Sequence, residues 1–212
     1  MKKNNLKKYI ILILLLSSFF YTVFSYVQRS FFQGTNHNLQ FHFIDVGQGD
    51  SSLIITPSGK TVLIDAGDEA HAKKVVNYIR ERGIEKLDLV IATHPDADHI
   101  GGMDKVIKNF YIDVFAMPDI SAKTNQYKQI QRELKTKKMK ATRLYQGDEV
   151  QIDDNIDFEI LSPVRGKKYD DTNEYSIVAK IVYKDTSFIL MGDATMENEV
   201  DIINKVPDID ID

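Results

Sequence analysis

The chain contains no cysteine. That absence removes disulfides, lipid attachment through a cysteine thiol and thiolate metal sites together. A domain on the outer side of a membrane would therefore need a hydrophobic core of its own. Charge of either sign is also not in marked excess: 27 Lys and Arg stand against 31 Asp and Glu, for a net charge of −4. Bulk charge does not point to non-specific nucleic-acid binding, so any phosphate recognition has to be local. Internal repeats and low-complexity tracts are missing, and only one hydrophobic run is long.

That run is Tyr9 to Val27, about nineteen residues without a charge, preceded by Lys2, Lys3, Lys7 and Lys8. As a helix it reaches across ~30 Å of hydrocarbon. Positive residues before the span predict an N-terminus in the cytoplasm and the remainder outside. The competing reading is a cleaved signal peptide. The run is long for that, and Phe24-Ser25-Tyr26-Val27-Gln28 offers no clean small-x-small cleavage site. The expectation is an uncleaved anchor over residues 9–27, a basic cytoplasmic segment over 1–8, a polar linker over 28–38 and one domain over 39–212.

Within the domain, Leu39–Val46 alternates like a strand, Gly47-Gln48-Gly49-Asp50 turns the chain, and Ser52–Thr56 pairs back. Pro57-Ser58-Gly59-Lys60 marks a second turn and Thr61–Ile64 a third strand, ending in Asp65-Ala66-Gly67. Ala70–Arg82 has helical spacing and stops at Gly83. Leu87–Ala92 reads as a buried strand, Met103–Phe110 as a short helix, Val114–Met117 as a strand, and Asn125–Lys138 as an amphipathic helix with a basic face whose ordinary role is solvation. Val150–Ile152, Ile156–Leu161, Tyr175–Tyr183 and Phe188–Met191 read as strands and Met196–Asn204 as a helix. Strands with interspersed helices give a layered α/β domain.

The chemistry is concentrated in His94-Pro95-Asp96-Ala97-Asp98-His99, followed by Ile100-Gly101-Gly102. Two imidazoles and two carboxylates in six residues are ligands suited to zinc, manganese or iron. Pro95 keeps His94 extended, so the ligands fan out from a strand-to-helix loop rather than lining a helix face. A helix cap such as Asp104 needs one short polar residue, not four ligands. The other histidines and acids have plainer readings. His37 is a solvated linker residue, His42 faces away on its strand, and His71 is a surface residue opening a helix. Asp45 and Asp50 either brace the glycine turn or stand at a pocket rim.

Three segments in order resemble the metallo-β-lactamase superfamily, and its ComEC/Rec2-type competence branch, tied to DNA uptake, most closely. They are Phe43-Ile44-Asp45-Val46-Gly47-Gln48-Gly49-Asp50-Ser51 with Leu63-Ile64-Asp65-Ala66-Gly67; Thr93-His94-Pro95-Asp96-Ala97-Asp98-His99-Ile100-Gly101-Gly102; and Asn173-Glu174-Tyr175-Ser176-Ile177-Val178 with Phe188-Ile189-Leu190-Met191-Gly192-Asp193. The resemblance implies a four-layer αββα sandwich and hydrolysis by metal-activated water at a pair of divalent ions, zinc or manganese. His94 and Asp96 would serve one ion and Asp98 and His99 the other. Asp193 would bridge the two, and Asp98 would also orient the water, so Asp98 and Asp193 carry catalysis. Asp65 would steady a ligand histidine from behind, and Asn173 and Ser176 would lie by the substrate pocket. Asp96, where the wider superfamily commonly has histidine, matches the competence branch and favours harder ions such as manganese.

Asp96 is one departure from the wider superfamily, and a second lies at the C-terminal end. The family continues into a strand and a loop with paired histidines that supply the last metal ligand. Here Pro207–Asp212 reads as the start of that strand, and no histidine follows His99. The expectation is a truncated, incomplete second half with weak activity. The leading functional reading is a membrane-anchored hydrolase of DNA or a related phosphodiester. With one hydrophobic span, it cannot itself transport DNA. A catalytically degenerate metal- or partner-binding domain and a hydrolase of a lactone, thioester or β-lactam are the alternatives.

Overall fold

The computed structural model describes residues 2–33, 38–206 and 209, with side chains for 8–26, 38–206 and 209. The chain divides into two units at residue 38. The first holds one helix, α1 (Lys2–Gln33). Its stretch Lys8–Tyr26 has a mean hydropathy of 1.9 and no buried side chains, and is long and apolar enough to cross a membrane. The helix overruns the start of the expected linker, because the sequence offers no proline or glycine until Gly34 and nothing interrupts the hydrogen-bond ladder. Residues 34–37, with His37, lie outside the described residues.

The second unit is the αββα sandwich. The first sheet has the order β1-β2-β3-β4-β5, from Gln40–Phe43, Ser52–Ile55, Thr61–Ile64, Lys86–Ile91 and Tyr111–Ala116. β1, β2 and β3 are antiparallel neighbours, whereas β3, β4 and β5 run parallel. Parallel neighbours need crossovers, which are made here by α2 (Ala72–Glu81) and by the short helices α3 (Ala97–Ile100) and α4 (Met103–Asn109). The second sheet is β6 (Asp157–Ser162), β7 (Val178–Tyr183) and β8 (Thr186–Leu190), all antiparallel. α5 (Asn125–Thr136) packs beside α4, and α6 (Met196–Lys205) against β6.

Strand alternation builds the layers. On β2 and β3, Leu53 and Leu63 join the helix-side core of Val75, Ile79, Ile107 and Leu134. Ile54, Val62 and Ile64 point the other way, into the inter-sheet core with Phe158, Ile160 and Ile181. The period of two makes one apolar strand serve two cores, which is why these strands are apolar throughout. A smaller cluster of Leu161, Val178 and Ile202 seats α6 on the outer face of the second sheet.

Several elements differ from their expected bounds. β1 ends at Phe43, although Ile44 N–H still bonds to Ser51 C=O at 2.8 Å. Val150–Ile152 is not a strand. Val150 N–H reaches Phe158 C=O at 2.8 Å, but Asp153 Oδ1 accepts from Asn155 N–H and reverses the chain before a ladder forms. Tyr175–Tyr183 is a strand only from Val178, because Asn173–Tyr175 is a 3-10 turn. There Tyr175 N–H and Ser176 N–H donate to the local carbonyls of Thr172 and Asn173, and Ile177 N–H donates to Thr93 C=O, so these groups are not available to the β6–β7 ladder. The ligand loop contains a helical turn, α3, and Asp98 and His99 ride on it. Of the expected strand at Pro207–Asp212 only Ile209 is described, packed against the cluster of Leu161, Val178 and Ile202.

Candidate metal centre

Parallel pairing of Ile64 with Ile91 brings the ends of β3 and β4 to one sheet edge. Asp65 and Thr93 emerge there side by side, and Asp65 N–H still bonds to Ile91 C=O at 2.9 Å. The second sheet is tied to the same edge by Ile177 N–H to Thr93 C=O at 3.0 Å. The end of β8 then delivers Gly192-Asp193. Glycines allow the close approach of α3 and α4: a Cβ on Gly102 would stand 2.3 Å from Ala66 C=O, which no side chain could tolerate.

Three ligand atoms converge. His94, His99 and Asp193 each place one within 4.8 Å of the others. His99 Nε2 is 3.1 Å from Asp193 Oδ1, and His94 Nε2 is 4.0 Å from Asp193 Oδ2. Both imidazoles are buried, while the Asp193 carboxylate is partly open.

Asp65 sets the tautomer of both rings. Its buried carboxylate accepts from Thr93 N–H (2.9 Å), Thr93 Oγ1 (2.6 Å) and His99 Nδ1 (2.9 Å). His99 therefore keeps its proton on Nδ1 when neutral, with the Nε2 lone pair facing Asp193. Thr93 has spent its one hydroxyl proton on Asp65, so at 3.0 Å it can only accept from His94 Nδ1. That leaves the Nε2 lone pair of His94 bare, and this buried atom has no hydrogen-bond partner among the described residues.

Electrostatics point the same way. Burial pushes the His94 pKa down, with the neighbouring His99 adding to the effect, so His94 favours the neutral form in which an imidazole can bind metal. Burial also opposes charging His99, but the Asp65 hydrogen bond and the carboxylates of Asp65, Asp193 and Asp50 outweigh it and raise the pKa to about 9. A lone pair on His99 Nε2 facing a carboxylate oxygen at 3.1 Å calls for a positive charge, a proton or a metal ion. Bare imidazole nitrogens aimed at a carboxylate in a buried edge fit a divalent cation bound through nitrogen and oxygen.

The other two carboxylates of the motif stand further out, each held by a distant loop. Asp96 Oδ2 is 4.0 Å from His94 Nε2, and its Oδ1 accepts from Thr172 Oγ1 at 2.9 Å. Asp98 Oδ2 accepts from Gln48 Nε2 at 3.4 Å. The Gln48 loop lies so close that a Cβ on Gly49 would be 1.9 Å from Asp98 C=O. Asn173 Oδ1 and Ser176 Oγ are buried without partners among the described residues, and a Cβ on Gly192 would stand 3.4 Å from that hydroxyl. Asp50 interacts with His99, Asp65, Asp193 and His94, and burial raises its carboxyl pKa. Asp45 braces the turn instead, accepting from Gly47 N–H.

Among the described residues, His42 and His71 stand apart from the cluster. His42 meets the Tyr78 hydroxyl at 3.1 Å, and His71 pairs with Asp68 at 2.7 Å. Asp104 follows the helix N-cap Gly102 and caps nothing, its Oδ2 pairing with Lys105. Sequence reasoning assigned no role to Thr93, Thr172 or Gln48. Thr93 and Gln48 sit inside the recognised segments, but only the tertiary contacts reveal what they hold.

Comparison with known proteins agrees with this geometry. The family model described as the Metallo-beta-lactamase superfamily matches residues 44–210. The chain is 28% identical over 186 residues to ComE operon protein 3 of Bacillus subtilis, covering 80% of this chain and 24% of that protein. It is 29% identical over 164 residues to Competence protein ComA of Neisseria gonorrhoeae, covering 76% and 20%. It is 28% identical over 177 residues to Recombination protein 2 of Haemophilus influenzae, covering 81% and 20%. The chain thus spans a quarter or less of the length of these relatives. Among solved structures, BJP-1, a subclass B3 metallo-beta-lactamase of Bradyrhizobium japonicum, superposes with a TM-score of 0.54 at 13% identity, over 84% of this chain and 74% of that one. A Cronobacter sakazakii metallo-beta-lactamase with a HARLDQ motif gives 0.51 at 15%, over 74% and 61%. These likenesses show the shared fold.

Proposed function

This chain belongs to the metallo-beta-lactamase superfamily, and we propose that it is a metal-dependent hydrolase of phosphodiesters, DNA among them, of the competence type. The observation that carries the reading is the bare, buried Nε2 of His94, aimed with His99 at the Asp193 carboxylate. Two divalent ions are the proposed complement: His94 and Asp96 would hold one, Asp98 and His99 the other, and Asp193 would serve both. Such ions supply Lewis-acid activation of water and offset charge developing on the attacked phosphorus. Three carboxylates beside two imidazoles make an oxygen-rich donor set, which suits manganese as well as zinc.

The chain's own residues supply the rest. Asp65 and Thr93 fix both imidazoles with their Nε2 lone pairs inward. Asp98, held through Gln48, orients the attacking water, whose oxygen bonds to phosphorus as the ester oxygen leaves. Asn173 and Ser176 offer polar atoms to substrate oxygens. The choice of DNA rests on the competence relatives. Residues 9–27 anchor the chain, with residues 39–212 as the hydrolase domain outside.

The test is metal analysis and turnover on the full chain in detergent. Wild type should hold metal and cleave a chromogenic phosphodiester faster than a lactone or β-lactam. The His94→Ala, His99→Ala double variant should do neither, and equal metal content in the two would overturn the assignment. A second reading is favoured by the fact that only three residues converge tightly: a binding domain without turnover. Metal retained with no hydrolysis of any of these substrates would select it.

A further inference from the structure

β1, β3, β4 and β5 all point the same way, because β2 is antiparallel to both β1 and β3, and β3, β4 and β5 run parallel. The C-terminal ends of β3 and β4 lead into the candidate metal centre. The starts of the four strands define the opposite end of the sheet, and two features share it. One is the entry of the chain, since the domain opens at Asn38 and β1 at Gln40. In sequence, only residues 27–37 lie between the apolar stretch Lys8–Tyr26 and that entry. The other is a groove of about 430 Å³ beside the starts of β4 and β5. Three to four strand spacings, roughly 14–19 Å, separate the two.

The groove is lined by Arg80, Lys108 and Lys137, by one acid, Glu85, and by Tyr111. Its cations come from three helix ends: Arg80 is in the last turn of α2, Lys108 is in the last turn of α4, and Lys137 is the C-cap of α5. A cation at such a position offsets the helix dipole, which accounts for one at each helix. It does not account for Tyr111, which is 76% exposed at the start of the edge strand β5. Arg80 donates to Asn109 Oδ1 at 2.7 Å and Lys137 to Phe110 C=O at 3.0 Å, both neutral oxygens. The Lys137 ammonium also sits 5.8 Å from the Tyr111 ring. Three cations against one carboxylate leave the groove positive, with an amphipathic ring at its mouth.

We infer that this end of the domain rests on anionic lipid headgroups, with Arg80, Lys108 and Lys137 meeting lipid phosphates and Tyr111 lying at headgroup depth. Tyrosine suits that depth because its ring is apolar and its hydroxyl is wet. Each cation near an anionic bilayer strengthens the contact about fivefold. A short tether keeps an anchored domain at high local concentration over the bilayer, so a few such contacts set its orientation. The candidate metal centre, at the far end of the strands, then faces away from the lipid. The inference rests on the anchor in the proposed function and not on its phosphodiester chemistry.

The chain has no tryptophan, so Tyr111→Trp and Phe43→Trp each supply a single fluorescent reporter. The first lies at the groove, and the second at the other end of the sheet, where Phe43 closes β1 and is 69% exposed. The full chain is placed in nanodiscs of brominated phosphatidylcholine, with or without phosphatidylglycerol, at low salt. Tyr111→Trp should be quenched with phosphatidylglycerol and not without it, and Phe43→Trp in neither. In the Tyr111→Trp background, Lys108→Gln should lower the ratio of quenched to free domain about fivefold. Replacing Arg80, Lys108 and Lys137 together by glutamine should lower it about a hundredfold, with thermal unfolding showing that both variants are folded. Glutamine at Lys73, Lys123 and Lys128, near the N-terminal ends of α2 and α5, removes equal charge and should leave quenching as it is. An unquenched Tyr111→Trp, or equal quenching of both reporters, would overturn the contact. So would displacement by inorganic phosphate or an oligothymidylate at constant ionic strength, which would assign the groove to a free anion or a nucleic acid. Retention in discs of phosphatidylcholine alone reports on the anchor separately. Retention there without quenching in phosphatidylglycerol discs keeps the anchor and overturns the contact. No retention there, with binding and quenching on phosphatidylglycerol discs, supports the contact and removes the anchor.

Discussion

Replacing Asp65 by asparagine keeps the shape of the side chain and changes one oxygen to an NH2 group. The consequence spreads through two rings. The carboxylate accepts from Thr93 N–H on one oxygen and from Thr93 Oγ1 and His99 Nδ1 on the other. If the amide oxygen stays with Thr93 N–H, the NH2 group faces two former donors. His99 Nδ1 must then become an acceptor, moving its proton to Nε2, where a metal would bind. Thr93 Oγ1 also becomes an acceptor, releasing its proton toward His94 Nδ1, so that His94 inverts as well. If the amide flips instead, its NH2 opposes Thr93 N–H, and a buried unsatisfied donor costs about 1–3 kcal/mol. Loss of a partner behind a ligating histidine typically costs 10–100-fold in metal affinity, and two histidines are affected here. The expected outcome is a loss of about 100-fold, near 2.7 kcal/mol.

The assay is titration calorimetry with manganese or zinc on chelator-stripped protein at pH 8, alongside thermal unfolding to show that the variant is folded. A second signature lies in the metal-free protein. The His99 pKa, about 9 when folded against 6.5 ordinarily, contributes stability that is full below pH 6.5 and fades as pH rises through about 9. Asp65→Asn should shrink that fade to what Asp193 and Asp50 still contribute. A folded variant with wild-type metal affinity and an unchanged stability profile across this range would refute the tautomer argument.

Other outcomes follow from the same contacts. Thr172→Val removes the hydroxyl that holds Asp96 and should lower metal affinity about tenfold while leaving the melting temperature nearly unchanged, measured in the same titration. Asp153 joins the turn at Ser58 to the segment before β6, and donors at Ser58, Thr56 and Asn155 overcome burial to lower its pKa to about 2. Asp153→Asn should therefore cost about 1–2 kcal/mol at neutral pH, with the gap to wild type closing as pH falls from about 4 to 2 in urea unfolding curves. Protease added to intact, wall-stripped cells should digest residues 39–212. Full protection until lysis would reverse the proposed topology.

The candidate metal motif was legible because its chemistry is local. Four candidate ligands of two types in six residues, with a buried run before them and a glycine pair after them, are enough to single out His94–His99. The layered α/β class was legible for a similar reason, since Leu53–Ile55, Val62–Ile64 and Leu89–Ile91 are short apolar runs and helical patterns follow the last two. Element ends were less so. Val150–Ile152 has a strand's composition, but side-chain acceptors at Asp153 reverse the chain too soon, and at Tyr175 and Ser176 the carbonyls of Thr172 and Asn173 take the N–H groups a ladder would use. Such competition depends on where an acceptor points, which a propensity does not record.

By itself the sequence determined which residues have ligand chemistry, which strands must be buried on both faces, and that one N-terminal stretch is apolar enough to span a bilayer. Tertiary structure decided how those ligands are aimed. Thr93 is an ordinary strand-end residue until parallel pairing of β3 with β4 sets it against Asp65, 28 positions earlier. Thr172 reaches Asp96 across 76 positions and Gln48 reaches Asp98 across 50. Asp193 meets the two histidines only because the second sheet is stitched to the first at Thr93. Ligand identity is a property of single side chains and is written in sequence. Ligand orientation is set by hydrogen bonds between segments that only the fold makes neighbours.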